Sequence, residues 1–203
     1  DIKKDVKNGI FYLKKSADEG NKYSQYYYGN FLFNGKFVKK DLEMSKHYFL
    51  LAVDQNDPKA CYGYSHALMK DVKVDKQKVF DYMKKAADLG HVDAMIELSE
   101  MLSSQYIKID NKDQNKEALK YIQKAIDNGS STALMIFALM AENGDGFDKP
   151  NPELADQYFK KAVEETHSAE ACKYYSDFLQ RQGKEEEMLK YLKMAADLGD
   201  ADS

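Results

Sequence analysis

The sequence predicts an all-α protein, an α/α superhelical solenoid of about five helix-turn-helix repeats with a leading half repeat. Three observations predict it. A nine-residue phrase, Tyr82-Met-Lys-Lys-Ala-Ala-Asp-Leu-Gly90, returns in degraded form starting at Tyr12, Tyr48, Tyr121, Tyr158 and Tyr191. Those tyrosines stand 33–39 residues apart, the period at which helical hairpins stack into solenoids. Apolar residues between and within the phrases recur with the helical period, as Val6, Ile10, Leu13 and Ala17 do in the first segment.

Taken in order, residues 5–20 read as an orphan second helix, Asp5–Glu19, closed by Gly20. The first hairpin, 21–56, pairs Lys22–Asn34, punctuated by Gly35, with Leu42–Gln55, for which Asp41 is the expected N-cap. Residues 57–90 pair Pro58–Lys70 with Lys76–Leu89, and 91–129 pair Val92–Gln105 with Asn115–Asn128. Residues 130–166 pair Ser131–Asn143 with Pro152–Glu165; Pro58 and Pro152 fall in first turns, where a missing N–H costs nothing. Residues 167–199 pair Ser168–Gln182 with Lys184–Leu198, and 200–203 begin a further repeat. The chain 1–203 therefore reads as a single repeat array, cut from something longer since it begins at Asp1.

Counting the residue after each phrase as position zero, with one extra residue allowed before Ser168, position three is Ser24, Ala60, Ala94, Ala133 and Ala171. Position eight is Gly29, Ser65, Ser99, Ala138 and Ser176, and position seven is Tyr28, Tyr64, Leu98, Phe137 and Tyr175. Small residues let neighbouring helices approach, and large ones fill the space around them. In the second helices Ala52, Ala86, Ala125, Ala162 and Ala195 stand four residues after each phrase tyrosine and do the same. This succession of a small residue, an aromatic-small pair, a glycine, an Asp-started helix and Ala-x-x-Tyr-Phe-x-x-Ala-Ala-x-x-Gly resembles the Sel-one-like repeat family, a relative of the tetratricopeptide repeats. Asn143 to Ala162 carries the resemblance most fully. Three departures stand out: Asp71 replaces a linker glycine, the linker from Ser103 to Lys116 is long, and the one around Gly183 is short.

Composition narrows the function classes. The 203 residues include 30 basic and 34 acidic ones, for a net charge of −4, spread along the chain without a basic stripe. Nucleic acid is therefore not the expected partner. The longest apolar run, Ala133 to Ala141, is far short of the roughly 18 residues of a membrane helix. No membrane insertion of this segment is expected. Cys61 and Cys172 fall three repeats apart, too far for a disulfide at about 10 Å per packed helix. They read as buried thiols and favour the cytoplasm over the endoplasmic-reticulum lumen. The sequon at Asn128-Gly129-Ser130 reads as chance.

No catalytic set is legible, so the expectation is a protein that is not an enzyme and takes no cofactor and no metal. His47, His66, His91 and His167 are scattered over four units, and the equivalent turn positions of His91 and His167 suggest turn chemistry rather than ligation. Asn143 to Asp148 hints at a calcium loop, but the alignment puts Ala141 and Pro152 where ligating oxygens are required. The charged stretch Lys108 to Lys116 reads as solvated loop, with an interaction role as the other reading.

The resemblance implies a ligand on the concave face, lined by the first helices. It places Tyr26, Tyr62, Ile96, Met135 and Lys173 at position five, His66, Glu100 and Leu139 at position nine, and Phe33 and Met69 at position twelve. An apolar strip flanked by polar groups suits a peptide or protein partner. The other reading of position five is packing against the next first helix. A non-catalytic scaffold or adaptor is the function so implied. The alternatives are a regulatory or targeting segment of a larger enzyme such as a kinase, and a substrate-recruiting adaptor of an endoplasmic-reticulum ubiquitin ligase. A hydrolytic array is a weaker alternative, because the paired cysteines of such relatives are missing. Exposed end faces also suit a homodimer.

Overall fold

The computed structural model describes residues 2–104, 106 and 113–201, among which it places eleven helices and no strand. They run α1 (Ile2–Asp18), α2 (Lys22–Asn34), α3 (Leu42–Val53), α4 (Pro58–Leu68), α5 (Lys76–Asp88), α6 (Val92–Ser103), α7 (Gln114–Asp127), α8 (Ser131–Asn143), α9 (Pro152–Thr166), α10 (Ala169–Arg181) and α11 (Glu185–Ala201). The fold is an all-α repeat solenoid. The interaction role read for the linker falls largely on residues outside the described ones, as does the end of the further repeat at 202–203.

Helix starts follow from side chains that satisfy the orphan N–H groups of the first turn. At position zero, Asn21, Asp57, Ser130 and Ser168 accept from the N–H of Ser24, Ala60, Ala133 and Ala171. In the second helices Asp41, Asp75 and Asn151 do the same for Met44, Lys78 and Leu154. The second helices α1, α3, α5, α7 and α9 are each followed by a left-handed residue. Gly20, Gly90 and Gly129 take φ of 96°, 94° and 83°, and Asn56 does so at 54° without being glycine. After α9 the left-handed residue is His167, φ 47°, one place beyond the phrase, and this absorbs the extra residue before Ser168. At the last copy Gly199 stays inside α11, which runs on past the expected end at Leu198. Glycine permits a left-handed turn and does not impose one.

The helices fall into two compact units. The first holds α1–α5 and α6 through Met101; the second holds α7–α11 together with residues 102–104. In the first, Ala17, Tyr28, Leu32 and Tyr48 form one core cluster, flanked by Ile10, Leu13, Val38 and Leu51. The Tyr48 hydroxyl donates to Asp18 Oδ1 at 2.6 Å, tying α3 to α1. Along the same unit Ala52, Ala60, Ala86 and Ala94 are fully buried, so the small-residue rows are where helices meet most closely. In the second unit the core gathers Leu134, Ala138, Phe159, Tyr175, Phe178 and Leu179. There the Tyr175 hydroxyl donates to Asp156 Oδ1 at 2.9 Å, and Arg181 forks onto both carboxylate oxygens of Glu142 at 2.7 and 2.8 Å. Cys61 and Cys172 are both buried free thiols, and burial pushes the Cys61 thiol up to about 11.

Candidate functional site

Four of the ten residues singled out from the sequence converge on one place. Tyr26 and Phe33 of α2 and Tyr62 and His66 of α4 line a cavity of about 170 Å³, together with Asn30, Asn34, Phe49, Lys59 and Gly63. Its floor is the ring of Phe49 from α3, whose centroid lies 6.1 Å from Tyr26 and 6.5 Å from Phe33. Phe49 is only 1% exposed because it lies between two glycines. A Cβ at Gly29 would stand 2.9 Å from its Cδ1, and one at Gly63 would stand 2.8 Å from its Cζ. The backbones of α2 and α4 can close on the ring only because both residues lack a side chain.

Tyr62 does more than line the cavity. Its hydroxyl donates a short hydrogen bond to Glu97 Oε1 on α6, and its ring stacks on His91 with centroids 4.5 Å apart and planes 18° from parallel. The His66 ring meets it in a T-shaped arrangement, with centroids 4.5 Å apart. His66 Nε2 also lies 3.1 Å from Glu97 Oε2, without the alignment of a hydrogen bond. Burial pushes the Glu97 carboxyl upward, but contacts from His66 and Tyr62 outweigh it and hold Glu97 below the usual carboxylate range. The Tyr62 hydroxyl is pushed well above the ordinary phenol range, first by burial and then by Glu97. Position five in this repeat therefore both faces the cavity and packs against the next first helix.

His91 explains how this packing is held. It occupies position zero, where the other repeats carry Asn, Asp or Ser, and its Nδ1 accepts the Ala94 N–H at 3.3 Å as the cap of α6. Only the neutral ring can accept there. Burial lowers its pKa; Lys59 adds to this, and Asp93, Glu97 and Asp57 oppose it. The unfolded histidine takes up a proton near its ordinary value of about 6.5, whereas the folded one resists until lower pH. More protons are bound in the unfolded state across that window, so stability falls as pH drops below about 6.5. The urea midpoint is expected to decrease between pH 7.5 and pH 5.5. A His91→Asp variant, whose carboxylate caps the helix without titrating there, should show a smaller decrease; an equal decrease would refute the assignment.

The remaining residues are placed differently. Met69 and Ile96 are half-buried in the first unit, and Glu100 is exposed there. In the second unit Met135, 9% exposed, sits within the core cluster, with Leu139 packed against it. Lys173 is exposed and lines a separate cavity with Glu170, Tyr174 and Asp177. Sequence reasoning missed Gly63, Phe49, Lys59 and Glu97. A signal for Gly63 was present: position six is Tyr27, Glu97, Ile136 and Tyr174 in the other repeats. Among the described residues no cluster of His, Cys, Asp and Glu could hold a metal ion, and no helix is long and apolar enough to cross a membrane.

Comparison with known proteins places the fold. The Sel1 repeat pattern matches residues 1–21, 22–57, 58–91, 92–130, 133–167 and 189–200. No curated protein sequence matches the chain. Among solved structures, a Sel1 repeat protein from Oxalobacter formigenes is similar at a TM-score of 0.76 and 24% identity, over 95% of this chain and 79% of that one. A protective antigen present in uropathogenic Escherichia coli strains, displaying an SLR fold, is similar at a TM-score of 0.79 and 21% identity. The match covers 95% of this chain and 42% of the antigen, so the chain spans less than half of that protein. A sel1 repeat protein from Klebsiella pneumoniae subsp. pneumoniae is similar at a TM-score of 0.56 and 18% identity, over 92% of this chain and 91% of that one. These likenesses agree on the fold, and with Sel1 repeats matched along most of its length the chain belongs to the Sel1 repeat family.

Proposed function

We propose that this chain is a non-catalytic scaffold that binds a protein or peptide on the face presented by its first helices. Sel1 repeat proteins generally serve as protein-interaction scaffolds, and the fold is typically non-enzymatic. The observation that carries the reading is the convergence of Tyr26, Phe33, Tyr62 and His66 on one apolar-walled cavity. These residues come from two successive first helices, so a partner laid across the repeats meets both. Aromatic side chains of this kind bury large areas at low entropic cost and dominate interface energetics. The polar groups beside them are turned toward each other: Tyr62 and His66 toward Glu97, and Asn34 Nδ2 toward Asn30 Oδ1 at 2.8 Å. That arrangement supports a recognition surface rather than a reactive centre. By their register Ile96, Glu100, Met69, Leu139 and Lys173 extend the reading, each within its own unit, whereas Met135 is taken up by the core cluster and leaves it.

The test is selection of a random peptide display library on the purified chain, followed by binding of the enriched peptides to a Tyr26→Ala/Phe33→Ala variant. Affinity is expected to fall by roughly thirtyfold, as for the loss of a hot-spot residue, with the helical circular-dichroism signal unchanged. Enriched peptides that bind the variant as tightly as the parent would overturn the assignment of the face. So would a selection that enriches nothing.

A further inference from the structure

Position six is a large or charged residue in four repeats and glycine only at Gly63. The missing side chain is what opens the cavity over Phe49. Beside it lies a second cavity of about 220 Å³, lined by Lys22, Tyr23, Tyr26, Tyr27, Asp57, Pro58 and Lys59. The two adjoin across Tyr26 and Lys59, which line both. Each is smaller than the roughly 300–1,000 Å³ of small-molecule sites. Each is of a size for a side chain, and a pair of such cavities fits a chain that presents more than one.

The charges around the cavities decide which chain. Asp57 is buried, and its Oδ1 accepts the Ala60 N–H at 2.8 Å, so its charge is held at the N-terminus of α4. Glu97 is faced by Tyr62 and His66. Asp93 and Glu100 line neither cavity. Lys59 is exposed and, among the described residues, makes no ion pair, while the Lys22 ammonium lies 5.3 Å from the centre of the Tyr23 ring. Aromatic walls alone would also admit a cationic guest. Two lysines at the rim disfavour that and favour a carboxylate.

Resting on the scaffold reading above, we propose that the paired cavities dock a peptide segment in which an acidic residue stands between apolar side chains. One apolar side chain enters the space left by Gly63, the other lies among Tyr23, Tyr26 and Tyr27, and the carboxylate meets Lys59 and Lys22. The test is an immobilised peptide array in which every member carries two leucines flanking Glu, Gln or Lys within Gly/Ser flanks, probed with the purified full chain. Members with Glu should be retained about tenfold more strongly than members with Lys. The exposed Lys59→Glu substitution should reverse that order, and Phe33→Ala should weaken every member. Retention that ignores the central residue and Lys59→Glu, yet is lost with Phe33→Ala, overturns the acidic preference and leaves the scaffold reading standing. No retention, or retention indifferent to Phe33→Ala, overturns the docking site, and the library selection then decides the scaffold reading separately.

Discussion

Replacing Phe49 by alanine is expected to destabilise the first unit by about 3–5 kcal/mol, the range for truncating a fully buried aromatic side chain. The ring is 1% exposed and has backbone on two sides, at Gly29 and Gly63. Neither glycine can fill the space, so the hole stays, and the cavity term adds to the lost transfer energy. Two aromatic neighbours, Tyr26 and Phe33, lose their floor at the same time. Thermal unfolding should shift by roughly 2–4 °C for each kcal/mol in a chain of this size, and circular dichroism on parent and variant measures it. A shift of under a few degrees would show that α2 and α4 collapse onto the gap, and that the ring is not what holds them apart.

For Gly63→Ala the sign of the effect depends on a competition between helix propensity and packing. Alanine in the interior of a helix is favoured over glycine by about 1 kcal/mol. Against this, the new Cβ would stand 2.8 Å from Phe49 Cζ, and overpacking of a core costs about 1–3 kcal/mol. The ring is pinned on its other side by Gly29, so its relief is to shift into the cavity it floors. We therefore expect net destabilisation of about 1 kcal/mol, with weaker binding of peptides selected on the parent. In a Phe49→Leu background the clash is gone and the propensity term stands alone, so the same substitution should stabilise. A double-mutant cycle in urea measures the reversal. Additive effects, with the same sign in both backgrounds, would remove Phe49 and Gly63 as a packed pair.

The placement of His91 bears on both variants, because its ring stacks on Tyr62. Loss of the α6 cap below neutral pH would loosen the Tyr62–Glu97 contact as well. Binding at the cavity should therefore weaken along with stability in mild acid.

Most of the helix plan was legible without coordinates because its causes are local. Lys22–Asn34 and Ser131–Asn143 match α2 and α8 at both ends, since a capping side chain, an amphipathic period and a left-handed glycine each act within one or two turns. The Met135 and Lys173 pair shows where locality stops. Both hold position five, yet one sits in the core cluster and the other is exposed. Register sets the direction a side chain takes from its own helix, while burial is decided by what neighbouring helices bring to meet it. Tyr62 is the same case within the site: its place in the row of first-helix residues follows from spacing, and its bond to Glu97 and stack on His91 do not. The repeats, the family and the row of candidate residues are written in local patterns of the chain. That Phe49 fills the space between two glycines, and that the missing side chain of Gly63 opens a cavity, emerges only once the helices are assembled, because contacts between separate helices depend on distances no local pattern encodes.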